Sequence, residues 1–167
     1  PLPEAADYME KVREKVSKQN SDASETHERR QAFWAGLQKH LGETDLHHGR
    51  RASSSSGRFT ARLSTSISLQ YVVRDGEIGV DLEIRSDGKS GRNAREEFDR
   101  LAACRAEIER SVGNSLEWRR DDALRFSKVR WRSDIGSLRS ETTKWPDIHL
   151  SMVQVMRRMH AAFAPHL

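Results

Sequence analysis

The chain has 167 residues, 35% apolar and 32% charged, with a net charge of +4 and a pI near 9.5. That length suits one domain with a proper core and strongly polar outer faces. No apolar run approaches the roughly 20 residues of a membrane-spanning helix, so no membrane partner is expected.

Arginine outnumbers lysine 22 to 7, a bias toward bidentate contact with phosphate or carboxylate. The single Cys104 rules out an internal disulfide and fits a reducing cytoplasm. The opening Pro-Leu-Pro-Glu has neither an initiator Met nor a signal peptide and reads as the start of a fragment of a longer protein.

Residues 4–17 carry a helical stripe of Ala5, Met9, Val12 and Val16. The polar run Ser17–Ser24 reads as a linker, so residues 1–25 are expected to form a lead-in helix and linker, and 26–167 a single domain. The next helix is capped by Ser24 or Thr26 and stops at Gly42, with Phe33 or Trp34, Leu37 and Leu41 on its apolar side. Residues 43–57 lose all periodicity and read as a mobile loop.

From Arg58 strand alternation sets in, with Phe59, Ala61 and Leu63 in phase with Ile67 and Leu69. The stretch Ile67–Ile84 alternates on both sides of Asp75-Gly76. A two-residue type I′ turn there predicts a hairpin pairing Val73 with Ile78, Tyr71 with Val80, Leu69 with Leu82 and Ile67 with Ile84. A slip of one residue would turn that whole apolar face to water.

Asn93 and Glu96 open a helix bearing Phe98, Leu101, Cys104 or Arg105, Ile108 and Val112, closed by Gly113-Asn114. Leu116-Glu117-Trp118 starts a strand, and Leu124–Trp131 returns, with a bulge expected where apolar parity changes between Phe126 and Val129. The last helix carries Trp145, Ile148, Met152, Val155, Met156, Met159 and Phe163 on one stripe, capped by Thr142 or Thr143 and stopped by Pro165. The order α-β-β-(β)-α-β-β-α predicts an α+β fold: an antiparallel sheet of four to five strands with helices packed on one face.

Three segments resemble a known family. Arg30-Gln31-Ala32-Phe33-Trp34 is similar to the "Q-x-F-W" helix opening of the bacterial domain of unknown function 4268 family. Phe98-Asp99-Arg100-Leu101, Ile108-Glu109 and Leu116-Glu117-Trp118 resemble its "F-D-x-L … I-E … L-x-W" passage, and Trp145 opening an amphipathic last helix fits as well. The likeness spans about residues 28 to 165 and implies a C-terminal module behind a nuclease-like domain of the PD-(D/E)XK class, in a DNA-processing or defence-type protein. It implies no catalytic residues. The Ser/Arg-rich loop at 50–58 departs from the family pattern.

The arginines are the leading functional candidates. Arg58, Arg62, Arg74 and Arg85 fall on the polar side of the strands, the loop adds Arg50 and Arg51, and Arg119, Arg120, Arg125, Arg130 and Arg132 cluster in the second hairpin. An open basic sheet face would let DNA or RNA phosphates lie across it. The interleaved Glu77, Asp81, Glu83, Glu117, Asp121 and Asp122 instead favour cross-strand ion pairs. Trp131 among these arginines is placed to stack a base.

Asp81 and Glu83, two apart on a strand, are a weaker alternative as a metal-binding pair, because Arg85 stands where a nuclease of that class needs Lys. Lys89, Ser90 and Arg92 beside a helix start offer a phosphate contact. A full phosphate loop is excluded, since Glu83 occupies its first glycine position. The histidines form no ligand set and read as surface or packing residues, and Cys104 reads as an inert buried thiol. No cofactor is expected. The remaining partners to weigh are an upstream nuclease-like domain and a second copy of the chain, met through edge strands or the last helix.

Overall fold

The computed structural model describes residues 3–53, 56–86, 93–121 and 126–167. Its elements are α1 (Pro3–Gln38), β1 (Arg58–Arg62), β2 (Ile67–Val73), β3 (Ile78–Arg85), α2 (Ala94–Ala102), α3 (Arg105–Val112), β4 (Glu117–Arg119), β5 (Phe126–Ser133) and α4 (Trp145–Phe163). The strands form one antiparallel sheet in the order β1-β2-β3-β5-β4. Helices cover the face that carries Phe59, Leu69, Tyr71, Val80 and Leu82, as the Trp34–Phe59 and Trp118–Phe163 ring contacts show. This is the α+β architecture that the element order predicts.

The central hairpin has the expected register, with Val73 opposite Ile78 and Ile67 opposite Ile84, and its eight inward side chains are buried. Its turn is different. Neither Asp75 nor Gly76 takes a positive φ, which type I′ requires at both positions. The hairpin closes instead with Arg74 N–H donating to the Glu77 carbonyl at 2.9 Å. Burial of the apolar face sets this register, and the turn adapts to it.

Ser17–Ser24 is helical, so the two helices expected around a linker are one. The segment contains no Gly or Pro to stop propagation from the anchored turns around Phe33, Trp34 and Leu37. Every described side chain from Glu4 to Glu25 is exposed, including Tyr8, Met9, Val12 and Val16. α1 ends at Gln38, a turn earlier than Gly42 suggests.

The helix expected over residues 93–112 breaks at Ala103–Cys104, where Cys104 N–H turns back to the Leu101 carbonyl at 2.9 Å. The break lets Phe98 and Leu101 of α2 and Ile108 and Val112 of α3 each reach the core. Cys104 is half-buried against that core. Asn93 caps α2 through Arg95 N–H at 2.9 Å. Thr142 and Thr143 are not caps; they sit in a 3₁₀ turn, Thr142–Lys144, that leads into α4.

No bulge interrupts β5. It pairs residue for residue with β3 from Ile78↔Ser133 to Arg85↔Phe126. The parity change arises because Phe126 lies on the polar face, where the Lys128 ammonium stands 5.1 Å from its ring. Trp131, opposite Val80, points to the helix side and packs on the core, away from the arginine face.

The loop after α1 is pinned rather than mobile over its described part. His47 is buried against the Phe59 and Tyr71 rings, and its Nε2–H is shared between the carbonyls of Phe59 and Leu69, each at 3.1 Å. Asp45 takes both a 2.8 Å Nε and a 2.8 Å Nη2 bond from Arg157 of α4.

Among the described residues no helix is long and apolar enough to cross a membrane.

Candidate nucleic-acid interface

Strand alternation places three polar rows on the sheet face opposite the helices. One runs Thr60, Gln70, Asp81, Arg130, Glu117; the next Arg62, Ser68, Glu83, Lys128, Arg119; the third Arg58, Val72, Gly79, Arg132. With Arg85, the strands present seven cations here against three carboxylates, and Glu77 adds a fourth just outside β3.

The charges are layered. Asp81 and Glu83 lie on the floor, 0% and 1% exposed. Arg132 grips Asp81 through both Nη atoms, the Nη2–Oδ2 bond being 3.0 Å, and Arg130 Nε lies 3.6 Å from Asp81 Oδ2. Glu83 is held by Arg85 Nε at 2.5 Å and by Lys128 and Arg58, each at 3.6 Å.

The outer layer holds the Arg85 and Arg119 side chains, 66% and 59% exposed, together with two acids, the exposed Glu117, which pairs with Arg119, and the part-exposed Glu77, which lies 3.4 Å from Arg132 Nε. Burial pushes the Glu83 carboxyl up, but the Arg85 hydrogen bond and the Lys128 charge outweigh it and hold the group below its usual range. Burial lowers both Lys128 and Arg130.

Six of the eleven arginines singled out from the sequence share this face, Arg58, Arg62, Arg85, Arg119, Arg130 and Arg132, and Arg74 is exposed just past the end of β2. Arg120 turns to the helix side and forms a two-bond pair with Asp99 of α2, at 3.0 and 3.2 Å. Arg50 bonds the Leu46 carbonyl in the loop that His47 anchors on the helix side, and Arg51 is exposed beside it. Arg125, Lys89, Ser90 and Arg92 lie outside the described residues.

Lys128 is the member that sequence reading missed. Its phase in β5 is legible only once the strand is known to run without a bulge.

For the metal alternative, the geometry is unfavourable. A divalent ion at Asp81 and Glu83 must displace guanidinium and ammonium groups from both carboxylates. Among the described residues no group of three His, Cys, Asp or Glu side chains is arranged to hold a metal ion. His149 is buried beside Phe33 and Trp145, which makes it a packing residue like His47.

The motif residues that carried the resemblance have structural work. Glu109 Oε1 accepts from Leu116 N–H and Trp118 Nε1–H at 3.0 Å each and from Arg105 Nε at 3.2 Å. Phe98 meets Trp118 edge-on, and Asp99 is the carboxylate that Arg120 clasps. The motifs thus describe how the α2–α3 pair is fastened to β4.

No curated protein matches the chain, and no solved structure does. Residues 29–167 match the family described as Domain of unknown function (DUF4268), and with most of its length inside that match the chain belongs to this family.

Proposed function

We propose that this domain is a non-catalytic accessory module of a bacterial DNA-processing or defence-type nuclease protein, working in the cytoplasm and contacting nucleic acid through the open face of its sheet. The observation that carries this reading is the layering of charge, with buried carboxylates beneath and guanidinium groups above. The buried acids hold the cations in place, so less side-chain entropy is lost when a phosphate arrives. Asp81 and Glu83 are engaged from within, and the outer Glu117 and Glu77 are each paired with an arginine of the same face. The association with a nuclease rests on the company that family members keep.

Fluorescence anisotropy with labelled duplex DNA and with RNA tests the reading. Three phosphate contacts predict a duplex affinity loss of about fortyfold as salt rises from about 50 to about 200 mM. Combining Arg85→Glu with Arg119→Glu should weaken binding at low salt by at least about tenfold. No anisotropy change at low salt with either nucleic acid ends the proposal.

A second reading, self-association, moves from the last helix to the first. The apolar stripe of α4 is spent on the core, whereas Met9, Val12 and Val16 of α1 are exposed. These, with Gln19, Ala23 and Thr26, repeat at alternating steps of three and four, as in a two-stranded coil. An antiparallel second copy would set Lys15 against Asp22 twice. Sedimentation showing a concentration-dependent dimer that Val12→Glu abolishes favours this reading, and a monomer at all concentrations removes it.

A further inference from the structure

The open face has a concave corner where β1 turns into β2. A cavity of about 170 Å³ lies there, lined by Thr60, Arg62, Ser64, Thr65 and Ser66, with Arg85 entering from the end of β3. The turn is tight: Leu63 and Ser64 N–H both reach the Ile67 carbonyl, at 2.9 and 3.1 Å, and Ile67 N–H donates to Ser64 Oγ at 3.2 Å. Because Ser64 Oγ accepts that bond, its own proton remains to be donated.

Ser66 is 4% exposed, its carbonyl accepts from Arg85 N–H at 2.7 Å, and its hydroxyl has no hydrogen-bond partner among the described residues. A buried hydroxyl without a partner calls for a ligand or water to complete it. Arg62 is exposed and has no ion-pair partner among the described residues. Glu83, at the back of the cavity, is already engaged by Arg85, Lys128 and Arg58.

The corner is therefore rich in donors and positive charge. At about 170 Å³ the corner has room for a phosphoryl group. The Leu63–Ser66 turn walls one side, so a phosphodiester, which needs an exit at both ester oxygens, fits less well than a phosphomonoester with three free oxygens.

The geometry points to a phosphomonoester site in this corner, which seats the terminal phosphate of a nucleic-acid strand lying along the sheet. The assignment rests on the nucleic-acid reading above. Free inorganic phosphate shares the chemistry, and the test separates the two sources.

Short single-stranded oligonucleotides carrying a 5′-phosphate, a 3′-phosphate or neither are compared by anisotropy with the full chain at low salt. One phosphorylated end should bind about tenfold more tightly than the unphosphorylated strand. Millimolar inorganic phosphate should remove that gain without removing the remaining affinity. Arg62→Gln, checked for folding by circular dichroism, should lose the gain, whereas Arg119→Gln should weaken all three strands equally.

Equal affinity for all three strands, or a gain that survives in Arg62→Gln, overturns the site while leaving the sheet-face reading intact. If no oligonucleotide binds at all, that reading falls, and amide NMR with inorganic phosphate decides the corner. Shifts confined to residues 60–66 would establish a free-phosphate site, and their absence would overturn it.

Discussion

Arg132 lies flat over the backbone of Gly79 to reach Asp81, two residues along the neighbouring strand, and binds it through both Nη atoms. A Cβ at position 79 would stand in contact with the guanidinium and only 2.6 Å from the Trp131 carbonyl oxygen. The glycine is the gap through which a long side chain crosses the sheet, and the buried carboxylate is what it crosses to meet.

Gly79→Ala should therefore destabilise the domain despite the higher strand propensity of alanine. The Trp131 carbonyl is backbone and cannot step aside, so an overpacking cost of about 1–3 kcal/mol is expected. A urea unfolding midpoint indistinguishable from that of the unmodified chain would show that Arg132 has another route to Asp81.

Stability should fall on mild acidification. Burial pushes His47 and His149 down to about 4 each, from an ordinary value of 6.5. Between those values the unfolded chain takes up protons that the folded chain refuses. Stability is thus full above about pH 6.5 and declines toward about pH 4, by up to about 1.4 kcal/mol per pH unit for each histidine. Urea midpoints across that range check the slope, and His149→Gln should remove about half of it. An unchanged slope in that variant would show that His149 is not buried neutral.

Glu109→Ala should cost about 1.5–3 kcal/mol, because Leu116 N–H and the Trp118 indole N–H lose a charged acceptor together. The loss should centre on the junction of α3 and β4, seen as faster amide exchange at Leu116 and Trp118. Uniformly faster exchange throughout the sheet would contradict a local fastening role.

Residues 3–25 bury none of their described side chains, so a chain beginning at Ser24 should melt within about a degree or two of the full chain when monomeric. Arg29→Ala, in contrast, should lower the melting temperature. Arg29 donates to the Leu138 and Ser140 carbonyls and its guanidinium lies 5.0 Å from the centre of the Trp145 ring. A large drop in the truncated chain that grows with protein concentration in the comparison would signal pairing through α1.

Alternation along β1, β2 and β3 is a local property, and it was enough to foretell which side chains face inward and how the central hairpin pairs. The same holds for the seven-residue stripe of α4, because burial of one face admits a single phase. The stretch Ser17–Ser24 misled for a related reason: its polarity reports exposure, and an exposed segment without Gly or Pro can be helix as easily as linker. Nothing local reveals that β5 enters beside β3 while β4 takes the edge, since that choice depends on where α2 and α3 carry the chain. The burial of Asp81 beneath Arg132, the seating of His47 under β1 and β2, and the hydroxyl-lined corner at Arg62 all follow from this packing. Side-chain phase is written along a strand, whereas a neighbour across the sheet is supplied by a distant part of the chain, and only the folded arrangement brings the two together.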